Sequence, residues 1–151
     1  MNKAPVPLLF LFLLSINLPG QNTPLPESII KELDAAEKEM INAISNGDST
    51  AFKRIAGYDY VDINANGNRM NLQQTLSDIS NFKGLTIKFS DQAQRIYGNF
   101  VLRTGRANFS SGGKEIGEVF YTQGWVYRNK KWEFVHWQGT VTKEFLQKNK
   151  N

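Results

Sequence analysis

The chain has 151 residues, 40% apolar and 12% aromatic, with 18 basic and 14 acidic residues for a net charge of +4. That length and composition fit one folded domain with a sizeable core and exclude a disordered chain. The absence of cysteine excludes disulfides, thiolate chemistry and a lipid-attached signal. Lys and Arg are scattered, with no basic stripe interleaved with aromatics, so nucleic acid is not an expected partner.

Lys3, the apolar run 8–18, the break at Pro19-Gly20 and the polar Gln21-Asn22-Thr23 have the layout of a secretory signal. The eleven residues of this run, nine of them apolar, rise only ~16 Å as a helix, short of a hydrocarbon core of about 30 Å. Residues 1–20 are therefore expected to be a signal peptide cut near Gly20. The product would be periplasmic or secreted, with no stable membrane span. Leu18 is larger than such cut sites prefer, and an uncleaved anchor is the alternative. Cleavage removes one basic residue, Lys3, and leaves +3.

Residues 21–26, with Pro24 and Pro26, read as a stiff linker into a helix. From Glu27, the positions Ile29, Ile30, Leu33, Ala36, Met40, Ile41 and Ile44 recur every three or four residues, which predicts an amphipathic helix of about five turns. Asn46-Gly47 closes it and Asp48 caps a short second helix that buries Phe52 and Ile55 and ends at Gly57. Residues 58–63 read as a strand, followed by the turn Asn64-Ala65-Asn66-Gly67. Asn71 and Gln74 form a capping-box pattern for a third helix. A strand over 85–97 follows, then three long strands over 100–110, 115–128 and 132–141. The turns Ser111-Gly112-Gly113-Lys114 and Asn129-Lys130-Lys131 join these three. Residues 143–151 read as a basic tail. Helices first and long antiparallel strands after predict an α+β domain over 27–142 with helices on one face of a curled sheet.

The ordered set Asn46-Gly47-Asp48 with Phe52, residues 58–67, Arg95-Ile96-Tyr97-Gly98-Asn99, Thr104-Gly105-Arg106 and Trp125-Val126-Tyr127-Arg128 resembles the nuclear-transport-factor-two-like superfamily. Its SnoaL-like branch and domains of unknown function such as DUF4440 are the nearest in pattern. Trp132-Glu133-Phe134-Val135-His136 resembles the end of the calmodulin-dependent kinase association domain, with Gln138 at its second histidine. The resemblance implies a cone-shaped, cystatin-like α+β barrel with an antiparallel or mixed sheet. Three helices would pack on its concave face, with a pocket beneath them, usually in a homodimer. It implies no activity, because the superfamily holds isomerases, dehydratases, hydrolases and adaptors.

Ketosteroid isomerase gives the resemblance a residue-level test. Its catalytic aspartate falls on Asn64, which cannot abstract a proton at neutral pH. Its first-helix tyrosine falls on Met40, and its protonated acid falls near 122–124, where no carboxylate stands. Ketosteroid isomerisation is therefore not expected, and no catalytic set is identified. One histidine and no cysteine cannot build a zinc site, and Asp59 and Asp62 point to opposite faces of one strand, so no metal or cofactor is expected.

If the last hairpin turns at Asn129-Lys130, Tyr127 pairs with Trp132, Trp125 with Phe134 and Gln123 with His136. One face would then carry Tyr121, Gln123, Trp125, Tyr127, Phe134, His136 and Gln138, and the other Phe120, Thr122, Val126, Val135 and Trp137. Helices can cover one apolar face, so a second copy of the chain is expected on the other. His136 is read first as a packed residue at that contact, with a pocket contact and a catalytic base as alternatives. Arg103 and Arg106 lie on opposite faces, and an inward Arg103 would suit a carboxylate ligand. The candidate pocket residues are Met40, Tyr60, Asn64, Arg103, Gln123, His136 and Gln138, around a small apolar or anionic molecule. Two classes of function stand: a binding or assembly module, and an enzyme of undetermined reaction using Tyr60, Gln123 and His136.

Overall fold

A computed structural model describes residues 26–149. The expected signal peptide and most of the linker lie outside them. Helix α1, Glu27–Asn46, buries Leu33, Glu37, Met40 and Ala43 along one stripe. Gly47 ends it at φ +65°, and the following N–H of Asp48 returns 2.8 Å to the Ala43 carbonyl. That left-handed turn suits glycine. Asp48 then accepts the Ala51 N–H at 2.9 Å and caps α2, Ser49–Ile55.

Strand β1, Ala56–Ile63, starts two residues before the expected position. Gly57 is inside it and does not end the helix. A Cβ there would lie 2.5 Å from the Arg128 guanidinium and 2.9 Å from Val135, so this glycine admits a close neighbour. A short β2, Arg69–Asn71, leads into α3, Leu72–Asp78, whose Asn71–Gln74 capping box forms as expected. A 3-10 turn, Ile79–Phe82, buries Ile79.

The long strands follow: β3, Leu85–Tyr97; β4, Phe100–Ser111; β5, Lys114–Arg128; and β6, Lys131–Val141. Within the basic tail a short helix forms, α4, Lys143–Lys148, which buries no residue. Thr142 caps it by accepting the Phe145 N–H at 3.2 Å. Asp, Asn and Thr caps of this kind each stabilise a helix by about 1 kcal/mol.

The sheet order is β2-β1-β6-β5-β4-β3, with β1 parallel to β6 and every other pair antiparallel. The class is α+β with a mixed sheet, as expected. The closed barrel is not formed, because β2 and β3 remain edges, and there are four helices. Helices α1, α2 and α3 pack on one face over Phe52, Tyr60, Trp125 and Phe134.

The hairpin register matches the expectation at Tyr127–Trp132 and Trp125–Phe134, then departs from it. Val135 is an extra residue in β6, so Gly124 faces His136 and Gln123 faces Trp137. A bulge of this kind reverses which face later residues point to. Trp137 therefore turns in beneath the helices, stacked 5.1 Å from Tyr121, while His136 and Gln138 turn out. No helix among the described residues is long and apolar enough to cross a membrane.

Candidate ligand pocket

Between the helices and the sheet lies a cavity of about 190 Å³ that opens to solvent. Met40 and Ile44 of α1, Phe52 of α2 and Ile79 and Phe82 of the 3-10 turn form its helical side. The sheet contributes Ile87, Phe89, Phe109, Val119, Phe134 and Trp137. Gly139 keeps room beside them, since a Cβ there would sit 3.4 Å from both Trp137 and Val119. The volume is slightly above the ~150 Å³ of an engineered cavity that takes benzene, and below the roughly 300 Å³ at which drug-sized sites begin. A space of that size has room for one ring with a short arm.

Besides Tyr60 and Asn64, two polar groups without partners interrupt this apolar lining. Asp62 of β1 is 8% exposed, and Thr75 of α3 is 6% exposed. Asp62 Oδ1 and Thr75 Oγ1 are both buried without a hydrogen-bond partner. Burial pushes the Asp62 carboxyl from its ordinary 3.8 up to about 6. Burial also raises the Tyr60 phenol well above 10, with the Asp62 charge adding to the rise, so Tyr60 stays protonated beside it. No Lys, Arg or His lines the cavity. A buried carboxyl with an idle oxygen and no counter-charge is unfavourable by itself, and it can accept a proton or a hydrogen bond from a guest.

Of the residues expected around a ligand, Met40, Tyr60 and Asn64 line this cavity. Asn64 is occupied structurally: its Oδ1 accepts the N–H groups of Asn66 and Asn68 at 3.0 and 3.1 Å and fixes the turn. Gln123 is fully buried off the cavity, and its Oε1 accepts the Trp125 indole N–H at 3.0 Å. His136 and Gln138 are carried to the other face by the Val135 bulge. Burial lowers the His136 pKa, which the Val61 backbone partly offsets.

Arg103 does point inward, at 4% exposure, but it meets protein acids. Its guanidinium binds Asp34 and lies 3.0 Å from Glu37, tying α1 to β4. Gln92 completes the group by donating 2.9 Å to the Tyr121 hydroxyl and 3.2 Å to Glu37. With two acids already beside it, Arg103 is not free for an anionic ligand. Arg106 faces out, over the Phe120 ring.

Asp62 and Thr75 are the residues that sequence reasoning missed. Alternation along β1 places Asp62 on the face of Tyr60, the buried one, and that signal was present in Tyr60-Val61-Asp62. Among the described residues no cluster of His, Asp and Glu could hold a metal ion.

Known structures share this architecture. A protein of unknown function with a cystatin-like fold from Nostoc punctiforme superposes with a TM-score of 0.69 at 11% identity, over 80% of this chain and 96% of that one. A proposed dehydratase of the NTF2-like family from Streptomyces avermitilis gives 0.68 at 13% identity, over 78% and 98%. A proposed calmodulin-dependent kinase II association domain from Exiguobacterium sibiricum gives 0.67 at 14%, over 80% and 98%. The chain thus has the nuclear-transport-factor-two-like, or cystatin-like, fold. No protein-family model matches its sequence, and no curated protein matches it. At these identities the likeness concerns fold alone.

Proposed function

We propose that this protein is an exported small-molecule-binding module whose cavity holds a single-ring apolar molecule by one polar end. The observation that carries the reading is the solitary carboxyl of Asp62, idle at one oxygen within an otherwise apolar cavity. A polar group retained where it lowers stability is the usual mark of a site used by a ligand. Of the two expected ligand types the apolar one is supported. The anionic one would meet Asp62 and no cation.

Export is supported by the pattern of residues 1–20, and N-terminal sequencing of the mature protein should begin near Gln21. Homodimerisation is supported by the uncovered sheet face, where Phe120 is 49% exposed and which also carries Phe100, Val126 and His136 farther along the strands. Sedimentation should give twice the chain mass, and a monomer at high micromolar concentration would count against it. Binding is tested by native mass spectrometry of the purified protein with and without added toluene. An adduct of one small molecule per chain is expected, and an empty protein that takes up no apolar compound would refute the reading.

A second reading, an enzyme of isomerase, dehydratase or hydrolase type, is favoured by one observation. A carboxyl titrating near 6 can take up and return a proton at neutral pH. Of the polar groups expected for such an enzyme, only Tyr60 lines the cavity; Gln123 and His136 do not. Turnover of a carbonyl substrate that disappears in Asp62→Asn would put this reading first.

A further inference from the structure

The chemistry of the guest's polar end follows from what surrounds Asp62, and this inference rests on the binding reading above. On β1 the same-face neighbours of Asp62 are Tyr60 and Asn64. Across the strands it stands opposite Met70 of β2 and Trp137 of β6, and α3 supplies Thr75 to the same cavity. The titratable groups lining the cavity are Asp62 and Tyr60 alone, and the Tyr60 phenol is neutral. Arg103, the nearest inward cation by topology, is engaged by Asp34 and Glu37. The cavity thus holds an uncompensated negative charge and two oxygens without partners, one of the Asp62 carboxylate and the hydroxyl of Thr75.

A neutral alcohol could satisfy one of those oxygens but leaves the charge unbalanced. A carboxylate or phosphate would add a like charge. An ammonium group does both jobs, because it carries the missing charge and two or three N–H donors. The cavity volume leaves space for about one aromatic or aliphatic ring beyond it, against Phe134 and Trp137. Rings of this kind also favour a nearby cation.

We propose that the pocket recognises a primary or secondary amine carried on a single-ring apolar body, with the ammonium between Asp62 and Thr75. Recognition then depends on pH, since only the ionised carboxylate supplies the charge. With the Asp62 carboxyl titrating at about 6, it is about one-tenth ionised at pH 5 and almost fully ionised at pH 7.5.

The test is isothermal titration of the purified protein with benzylamine, benzyl alcohol and toluene at pH 5 and pH 7.5. At pH 7.5 benzylamine should bind about tenfold or more tightly than benzyl alcohol, the equivalent of one charge-assisted hydrogen bond. Its affinity should fall about tenfold at pH 5, while that of toluene stays constant. Asp62→Asn preserves the side-chain shape and should remove both the preference and the pH dependence without weakening toluene. Thr75→Val should weaken benzylamine while keeping its pH dependence. If benzyl alcohol and toluene bind as well as benzylamine, the amine assignment is overturned and the apolar pocket stands. If none of the three binds, the binding reading falls, and this inference falls with it.

Discussion

Replacing Asp62 with asparagine should stabilise the ligand-free protein in a pH-dependent way. The carboxyl rises from 3.8 unfolded to about 6 folded, because burial disfavours its charged form. At 1.36 kcal/mol per pH unit, this corresponds to at most about 3 kcal/mol, reduced to ~2 kcal/mol by water reaching through the cavity mouth. The sign follows from linkage. Below pH 3.8 both states are protonated and the wild-type residue incurs no charge cost. The cost grows as pH rises from 3.8 to about 6, because the unfolded state ionises first, and it is complete above 6. Asparagine carries a constant cost for its buried amide, so the diagnostic is the change in the difference between the two proteins. Urea unfolding of wild type and Asp62→Asn at pH 4.0, 5.0, 6.0 and 7.5 reads it directly. The variant should gain on wild type by about 2 kcal/mol between pH 4.0 and 7.5, roughly 5–10 °C in melting temperature. Parallel stability curves would refute the reasoning, because they would mean that Asp62 is solvated or already paired.

Three further substitutions test the rest of the structure. His136→Ala should destabilise the protein by about 1–3 kcal/mol and weaken self-association, because it removes from the uncovered face an imidazole that is hydrogen-bonded to the Val61 backbone. Toluene binding should be unchanged, and a loss of binding at constant stability would return His136 to the pocket. Arg103→Ala leaves Glu37 buried without its cation and should destabilise by roughly 3–5 kcal/mol in urea unfolding. Gly57→Ala should cost about 1–3 kcal/mol, read as a lower melting temperature, because the new methyl meets Val135 and displaces Arg128 from its ion pair with Asp59.

The elements were legible because their signals are local. The α1 periodicity, the Asn46-Gly47-Asp48 junction and the Asn71–Gln74 box each act within a few residues, and the structure places them where the sequence does. The helix within the tail was not anticipated because its hydrophobic residues are few. The capping hydroxyl of Thr142 was the available cue, and α4 forms from it. The faces of β6 were not legible. A single extra residue, Val135, exchanges Trp137 for His136 and Gln138 beneath the helices, and nothing in the alternation of 132–141 announces a bulge. Alternation put Arg103 and Arg106 on opposite faces without saying which points inward, and the partners of Arg103, Asp34 and Glu37, come from α1, 69 and 66 positions earlier, beyond any local pattern. Asp62 was weighed only as a metal ligand beside Asp59, and its significance lies in the absence of a partner, which sequence alone does not display.

The central claim is that a guest occupies the cavity above β1 and β6 and engages Asp62. Amide and side-chain NMR shifts of the purified protein, followed during titration with benzylamine at pH 7.5, test it most directly. The account predicts that perturbations concentrate at Asp62, Thr75, Phe134 and Trp137, and that the Asp62 carboxyl titrates at lower pH once the ammonium is bound. Perturbations confined to the outer face around Phe120 and His136, or an Asp62 titration that benzylamine leaves unmoved, would contradict it.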